Sequence, residues 1–224
     1  MKSAVVVFPG SNCDTDCQHL VQNVLRWPTT MVWHGDRSLN GADLVVLPGG
    51  FSYGDYLRTG AMASLSPILG AVKEHAARGG LVIGICNGFQ ILIEAGLLPG
   101  ALLPNKDLKF ICREVSVRVE TVRSPFTAAC KKGQVLNMPI AHHEGNYFAD
   151  KGTLESLHKN DQICFRYCDA QGKLTEDANP NGSMESIAGI CNKEGNVLGL
   201  MPHPERMAET ILGGTDGKTL FRGL

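Results

Sequence analysis

Short apolar runs alternate with polar, glycine-rich breaks through the N-terminal part of the chain. Ala4 to Phe8, Thr29 to Trp33, Asp43 to Leu47 and Leu81 to Ile85 each have the length and apolar continuity of a buried strand. Between them, Leu20, Val21, Val24 and Leu25 recur at helical spacing, with Asp14 or Thr15 placed to cap that helix. Ser66 as cap and Pro67 at the first position predict the start of another helix, and Arg78-Gly79-Gly80 its end. Apolar positions at helical spacing resume directly after Cys86. This cadence predicts an α/β fold: a mostly parallel sheet with helices on both faces.

The pattern changes in the second half. Val115, Val117 and Val119 alternate with Ser116, Arg118 and Glu120, as in a strand buried on one face. Gln134 to Ile140 and Gln162 to Tyr167 are further strand candidates, and Ser186 to Cys191 with Asn196 to Met201 predict a hairpin. Antiparallel strands are therefore expected beside the parallel core. Asn179-Pro180-Asn181-Gly182 is a tight turn and Ile140 to Tyr147 reads as a loop lining a pocket. With no linker, repeat or low-complexity stretch, residues 1–224 are expected to make one domain.

Chemistry concentrates at Gly84-Ile85-Cys86-Asn87-Gly88. A buried strand, a residue between glycines and then a helix have the spacing of a nucleophile elbow, here with a thiol in the nucleophile's place. The glycines suit a strained turn in which strand and helix backbones approach closely. The amides of the following helix would face the sulfur and favour its anion, which attacks acyl carbons. A buried cysteine is more often structural, so this reading needs a base elsewhere in the chain.

Composition narrows the class without naming it. A formal net charge of -1 gives no reason to expect nucleic acid or an anionic membrane as partner. The run after Met1-Lys2-Ser3 is too brief for a signal peptide, and no apolar stretch reaches transmembrane length, so a cytoplasmic location is expected. The 8 cysteines then read as reduced thiols. Cys13/Cys17 and Cys164/Cys168 lack the usual zinc spacing, and no metal site is expected.

Two further segments supply what the elbow lacks. Pro48-Gly49-Gly50-Phe51, after a buried strand, can turn backbone N–H groups toward a ligand, so the amide of Gly50 or Phe51 could join that of Asn87 in an oxyanion hole. No lysine follows in phosphate-loop fashion. The candidate base is His203 in Met201-Pro202-His203-Pro204-Glu205-Arg206: prolines on both sides forbid regular structure, and Glu205 can accept a ring N–H and hold the tautomer. His142 and His143 are rival bases.

Gly84 to Gln90 together with Pro202 to Arg206 resembles the class I, or triad, glutamine amidotransferases. Pro48 to Arg58, Ala141 to Tyr147 and Asn179 to Gly182 resemble the branch of that family serving purine biosynthesis, and the likeness runs along essentially the whole chain. The resemblance implies the family's flavodoxin-like fold. It also implies a Cys86 nucleophile, a His203 base and a Glu205 orienting partner, with Gly49, Gly50, Phe51, Asn87, Gln90, His142 and His143 around the substrate glutamine. His143 stands where the family usually has a small residue. No cofactor is expected in this chain; ATP and magnesium would belong to a partner synthetase that receives the ammonia, with a small third subunit in the assembly. Two other classes compete: a protease- or deglycase-like cysteine hydrolase on a related fold, which usually lacks the Pro-His-Pro-Glu pair, and a non-catalytic scaffold, which has no need of all three triad residues.

Overall fold

The computed structural model describes residues 1–224. The apolar runs form strands β1 (Ser3–Val7), β2 (Thr29–Trp33), β3 (Leu44–Leu47) and β4 (Leu81–Ile85). They are followed by β5 (Ala101–Pro104), β6 (Ile111–Val119), β7 (Val135–His142), β8 (Glu144–Phe148), β9 (Ile163–Cys168), β10 (Ile187–Cys191) and β11 (Val197–Leu200). Helices are α1 (Asp14–Gln18), which runs on as a π-helical stretch His19–Val24, then α2 (Ala61–Ser64), α3 (Ile68–Ala77), α4 (Asn87–Glu94) and α5 (Lys151–Lys159).

A 9-stranded sheet has the order β2-β1-β3-β4-β11-β10-β9-β6-β7, and β5 pairs with β8 in a separate 2-stranded sheet. From β2 to β11 every neighbour is parallel; from β11 to β7 every neighbour is antiparallel. The expected combination of parallel core and added antiparallel strands is thus present. β3, β10 and β11 are buried at every position, which is why they read as unbroken apolar runs, whereas β6 buries Val115, Val117 and Val119 on one face. One hydrophobic cluster runs through both parts, from Val5 to Met138 and Phe221. No helix is long and apolar enough to cross a membrane.

The structure departs from the sequence reading at several places. Neither Asp14 nor Thr15 caps the first helix: Cys13 holds that position without a side-chain hydrogen bond, and both residues lie in the first turn. Pro67, not Ser66, is the N-cap of α3, and the Ser66 hydroxyl instead lies 3.3 Å from the Tyr53 hydroxyl. Ile140 to Tyr147 is not a loop. Leu136, Met138, Ile140 and His142 bury every second side chain of β7, and β8 begins after a single intervening residue.

Topology positions the chemistry. β11 lies beside β4 with Leu200 paired to Ile85, and the Cys86 N–H donates to the Leu200 carbonyl at 2.8 Å. The segments leaving these two strands therefore emerge together at the carboxyl rim of the sheet, where open α/β sheets bind ligands. α4 packs against β3 and β4 so closely that a Cβ on Gly88 would stand 2.0 Å from the Leu47 carbonyl oxygen, and one on Gly84 2.5 Å from that of Gly88. Only glycine fits at either place, which accounts for the elbow's two flanking glycines.

Candidate active site

Cys86 sits between β4 and α4 at φ 50°, ψ -105°, a conformation that L-residues rarely adopt. The surroundings must hold it there, and strain of this kind concentrates at functional positions. Its thiol is buried, with Sγ 3.7 Å from the Ala141 carbonyl.

His203 arrives from β11 through Met201-Pro202, its backbone N–H fixed by the Pro139 carbonyl at 2.8 Å. Its Nδ1 lies 2.5 Å from Glu205 Oε1, and both side chains are almost wholly buried. Burial opposes charge on the ring, but Glu205, Cys86 and Cys13 outweigh it and hold the imidazole's pKa well above its ordinary value. With Nδ1 held by Glu205, the remaining nitrogen Nε2 is buried without a hydrogen-bond partner. The Cα of Gly49 packs into the gap beside it: a Cβ there would meet His203 Cε1 at 2.8 Å, Cys13 Sγ at 3.2 Å and Cys86 Cβ at 3.4 Å.

Cys13 and Arg206 also meet at this site, which their spacing in the sequence does not predict. The Arg206 guanidinium donates to Cys13 Sγ at 2.9 Å, and the thiol donates to Asn12 Oδ1 at 3.2 Å. Cys13, His203 and Glu205 bring potential ligand atoms within 4.8 Å of one another. The adjoining guanidinium and the occupied Nδ1 make this a hydrogen-bonding chain ill suited to a further cation. The signal in the sequence was the loop Pro9 to Asn12 leaving β1, which ends at the same rim as the elbow.

A cavity of about 190 Å³ opens over the thiol, lined by Gly50, Phe51, Asp55, Thr59, Cys86, Gln90, Ala141, His142, His143 and Glu144. The Phe51 N–H is already taken by the Gly10 carbonyl at 3.1 Å, whereas that of Gly50 makes no backbone bond. The Asn87 N–H belongs to the first turn of α4, where the helix supplies no acceptor. Of the two candidates in the glycine loop, Gly50 is thus the one left to pair with Asn87 as a donor. The Phe51 ring instead stacks on Phe110 at the mouth, centroids 6.4 Å apart.

The Gln90 amide bridges elements, accepting from Asn87 Nδ2 at 2.8 Å and donating to the Glu144 carbonyl at 2.6 Å. Asn87 in turn accepts from the Ser52 N–H at 3.2 Å. His142 is buried on β7; His143 is exposed, its Nε2 3.3 Å from the Leu108 carbonyl. The two rival bases therefore face different environments, and neither contacts Glu205. Asp55 and Glu144, which the sequence reading did not single out, place two carboxyl groups in the cavity wall. Burial first, then the charge of Glu144, pushes the Asp55 pKa up to about 6. The hydroxyl of Thr59 donates to Glu144 Oε2 at 2.9 Å.

A CobB/CobQ-like glutamine amidotransferase domain matches residues 1–214. The phosphoribosylformylglycinamidine synthase subunit PurQ of Gloeobacter violaceus is 56% identical over 224 residues, covering 100% of this chain and 97% of its own. That of Aquifex aeolicus is 54% identical, with 100% and 99% covered. Among solved structures, PurLQS from Thermotoga maritima superposes on this chain with a TM-score of 0.85 at 45% identity, covering 99% of this chain and 96% of the other. The glutaminase domain of Trypanosoma brucei CTPS, at 14% identity and a TM-score of 0.59, shares the fold. A thiol elbow facing a histidine–carboxylate pair, on a chain this similar along its whole length, leaves one assignment: the chain belongs to the CobB/CobQ-like glutamine amidotransferases, in the family of phosphoribosylformylglycinamidine synthase PurQ subunits.

Proposed function

We propose that this chain, acting as one domain over residues 1–224, is the glutaminase subunit of a phosphoribosylformylglycinamidine synthase. The observation that carries the reading is the β4–β11 register, which brings Cys86 and the His203–Glu205 pair to one point on the sheet rim. Cys86 gives its thiol proton to His203, and the sulfur attacks the side-chain carbonyl carbon of glutamine, forming a C–S bond while the carbonyl π pair moves to oxygen. The N–H groups of Gly50 and Asn87 stabilise that oxyanion. His203 delivers a proton to the departing nitrogen; the C–N bond breaks, and ammonia and a glutamyl thioester result. Water gives a proton to His203 and attacks the thioester; the C–S bond breaks, glutamate leaves, and His203 returns the proton to the sulfur. Glu205 orients the ring and supports its positive charge throughout. In bulk water ammonia becomes protonated and loses its nucleophilic lone pair, so it passes directly to a synthetase subunit that makes formylglycinamidine ribonucleotide. ATP and magnesium are that partner's, a small third subunit completes the assembly, and the complex is cytoplasmic.

The test is glutamate release from glutamine by this chain alone and with its host's synthetase and third subunit. Turnover that rises severalfold or more in the complex supports the reading. Activity on peptides or glycated substrates with none on glutamine, in either state, would replace it with the protease- or deglycase-like alternative.

A second expectation concerns the substrate's amino-acid end. Asp55 and Glu144 give the cavity wall the negative charge that suits an α-ammonium group. With its pKa near 6, Asp55 is ionised at neutral pH and loses its charge as pH falls through that value. The KM for glutamine is expected to rise below pH 6, while Asp55→Asn should show a KM about tenfold higher at neutral pH and nearly flat across this range. An Asp55→Asn profile that keeps the wild-type rise would remove Asp55 from the binding site.

A further inference from the structure

His142 is buried and lines the cavity, and its two ring nitrogens are in opposite situations. Nδ1 lies 3.0 Å from Asn105 Oδ1; Nε2 is buried with no partner at all. The Asn105 amide settles which nitrogen carries the hydrogen. One of its terminal atoms faces two carbonyl oxygens, Lys109 O at 2.8 Å and His142 O at 2.9 Å, and must be the NH₂ group. The other accepts the Gly145 N–H at 3.2 Å and must be the oxygen. An oxygen beside Nδ1 requires Nδ1 to donate. In the neutral ring Nε2 is then a bare lone pair, an acceptor with nothing to accept. Gly145 packs against the ring so tightly that a Cβ there would stand 2.3 Å from Cε1, which prevents the ring from turning to another partner.

Protonation offers no way out. Burial first, then the neighbouring His203 charge, lowers the pKa of His142 to about 3, so the ring stays neutral at any pH at which the protein works. Leaving a buried acceptor unmet carries a desolvation cost, and a fold that fixes the tautomer through Asn105 maintains that cost in the unliganded state. A ligand that brings an N–H to this position removes it.

Resting on the glutaminase reading, we propose that His142 Nε2 accepts an N–H of the substrate's side-chain carboxamide, so that the site selects amide over ester and over the glutamate product. The carboxamide nitrogen is the one atom that distinguishes glutamine from glutamate, and it is a donor. A glutamate carboxylate would set an oxygen lone pair against the lone pair of Nε2, which favours product release. An ester oxygen likewise has no hydrogen to give. The same acceptor holds the nitrogen that leaves as ammonia, within electrostatic reach of the His203 ring that protonates it.

The experiment compares hydrolysis of L-glutamine and of L-glutamate γ-methyl ester by wild type, His142→Leu and His142→Gln, each in complex with the host's synthetase. His142→Leu is expected to lower the amide-to-ester ratio of kcat/KM about 10- to 100-fold, the effect of one unmet hydrogen bond. His142→Gln, whose Oε1 can reach the Nε2 position, should recover part of the ratio. Equal losses on both substrates would mean that the ring only packs, and would overturn the proposal. Nitrogen-15 NMR of histidine-labelled Cys86→Ala protein supplies a readout without turnover. Nε2 of His142 should show an unprotonated shift that moves on adding glutamine and stays put on adding glutamate; a protonated Nε2 overturns the proposal. Wild type that turns over neither compound would defeat the glutaminase reading and this inference with it. Wild type active on both, with an unchanged ratio in His142→Leu, defeats the inference alone.

Discussion

Cys86→Ala is expected to lower glutamate release from glutamine by roughly four orders of magnitude or more, since removing a nucleophile from a triad leaves only binding and oxyanion stabilisation. The loss should fall on kcat, with the KM for glutamine little changed, because the cavity walls that hold the substrate come from α4, β7, β8 and the loop after β3. Alanine keeps the backbone of the elbow without the sulfur, so the folded structure should survive; circular dichroism and a denaturant titration check that. Stability should stay nearly level, since alanine carries the same strained φ of 50° and gives up only the long contact between the thiol and the Ala141 carbonyl. The measurement is single-turnover glutamate release with and without the synthetase. Retention of a tenth of wild-type turnover in the complex would show that another group carries the attack.

The parts of this fold that could be read from sequence are those in which burial writes directly into residue type. β3, β4, β10 and β11 are buried nearly throughout, so each appears as an unbroken apolar run. β5 is hidden because Ala101–Pro104 is half exposed and ends in proline, and β8 is its one strand partner. α5 escaped because Leu157 is its one fully buried residue and Gly152 weakens its second position. Its cap was nonetheless present, Asp150 accepting the Thr153 N–H at 2.8 Å. β7 was truncated and β8 missed because two histidines, a glutamate and a glycine mask an alternation that the structure shows to continue through His142.

The site divides in the same way. Cys86, His203 and Glu205 announce themselves through local backbone chemistry, glycines around one and prolines around another. Asp55, Glu144, Cys13 and Asn105 are not bracketed in this way. Their relation to the thiol depends on which loops the sheet order brings to one rim, and register between distant strands, such as Leu200 opposite Ile85, is not written in either strand alone. The discrimination between the Gly50 and Phe51 amides is of this kind too: it turns on a carbonyl from Gly10, on a different loop.

Glu205→Gln is expected to lower kcat by about two to four orders of magnitude, with the fold intact. The two side chains are isosteric, and Gln Oε1 can still accept the Nδ1 proton over the 2.5 Å contact seen here. The second carboxylate oxygen, Oε2, is buried without a partner, so an NH₂ group placed there meets little that it would have to displace. Geometry is therefore conserved and the negative charge alone is removed. That charge is the first of the contributions opposing the burial of His203 and raising its pKa. Without it, burial dominates, and the ring gives up its proton at lower pH. Two consequences follow with definite sign. The imidazolium that must protonate the departing nitrogen is populated over a narrower range, so the alkaline limb of the kcat profile moves to lower pH. At a pH below that shifted limb, part of the lost rate returns, because there the ring is again charged. A Glu205→Gln enzyme whose alkaline limb coincides with that of wild type would show that the carboxylate only orients the ring. Glu205→Ala separates the two effects, since it removes orientation as well as charge and should fall further at every pH.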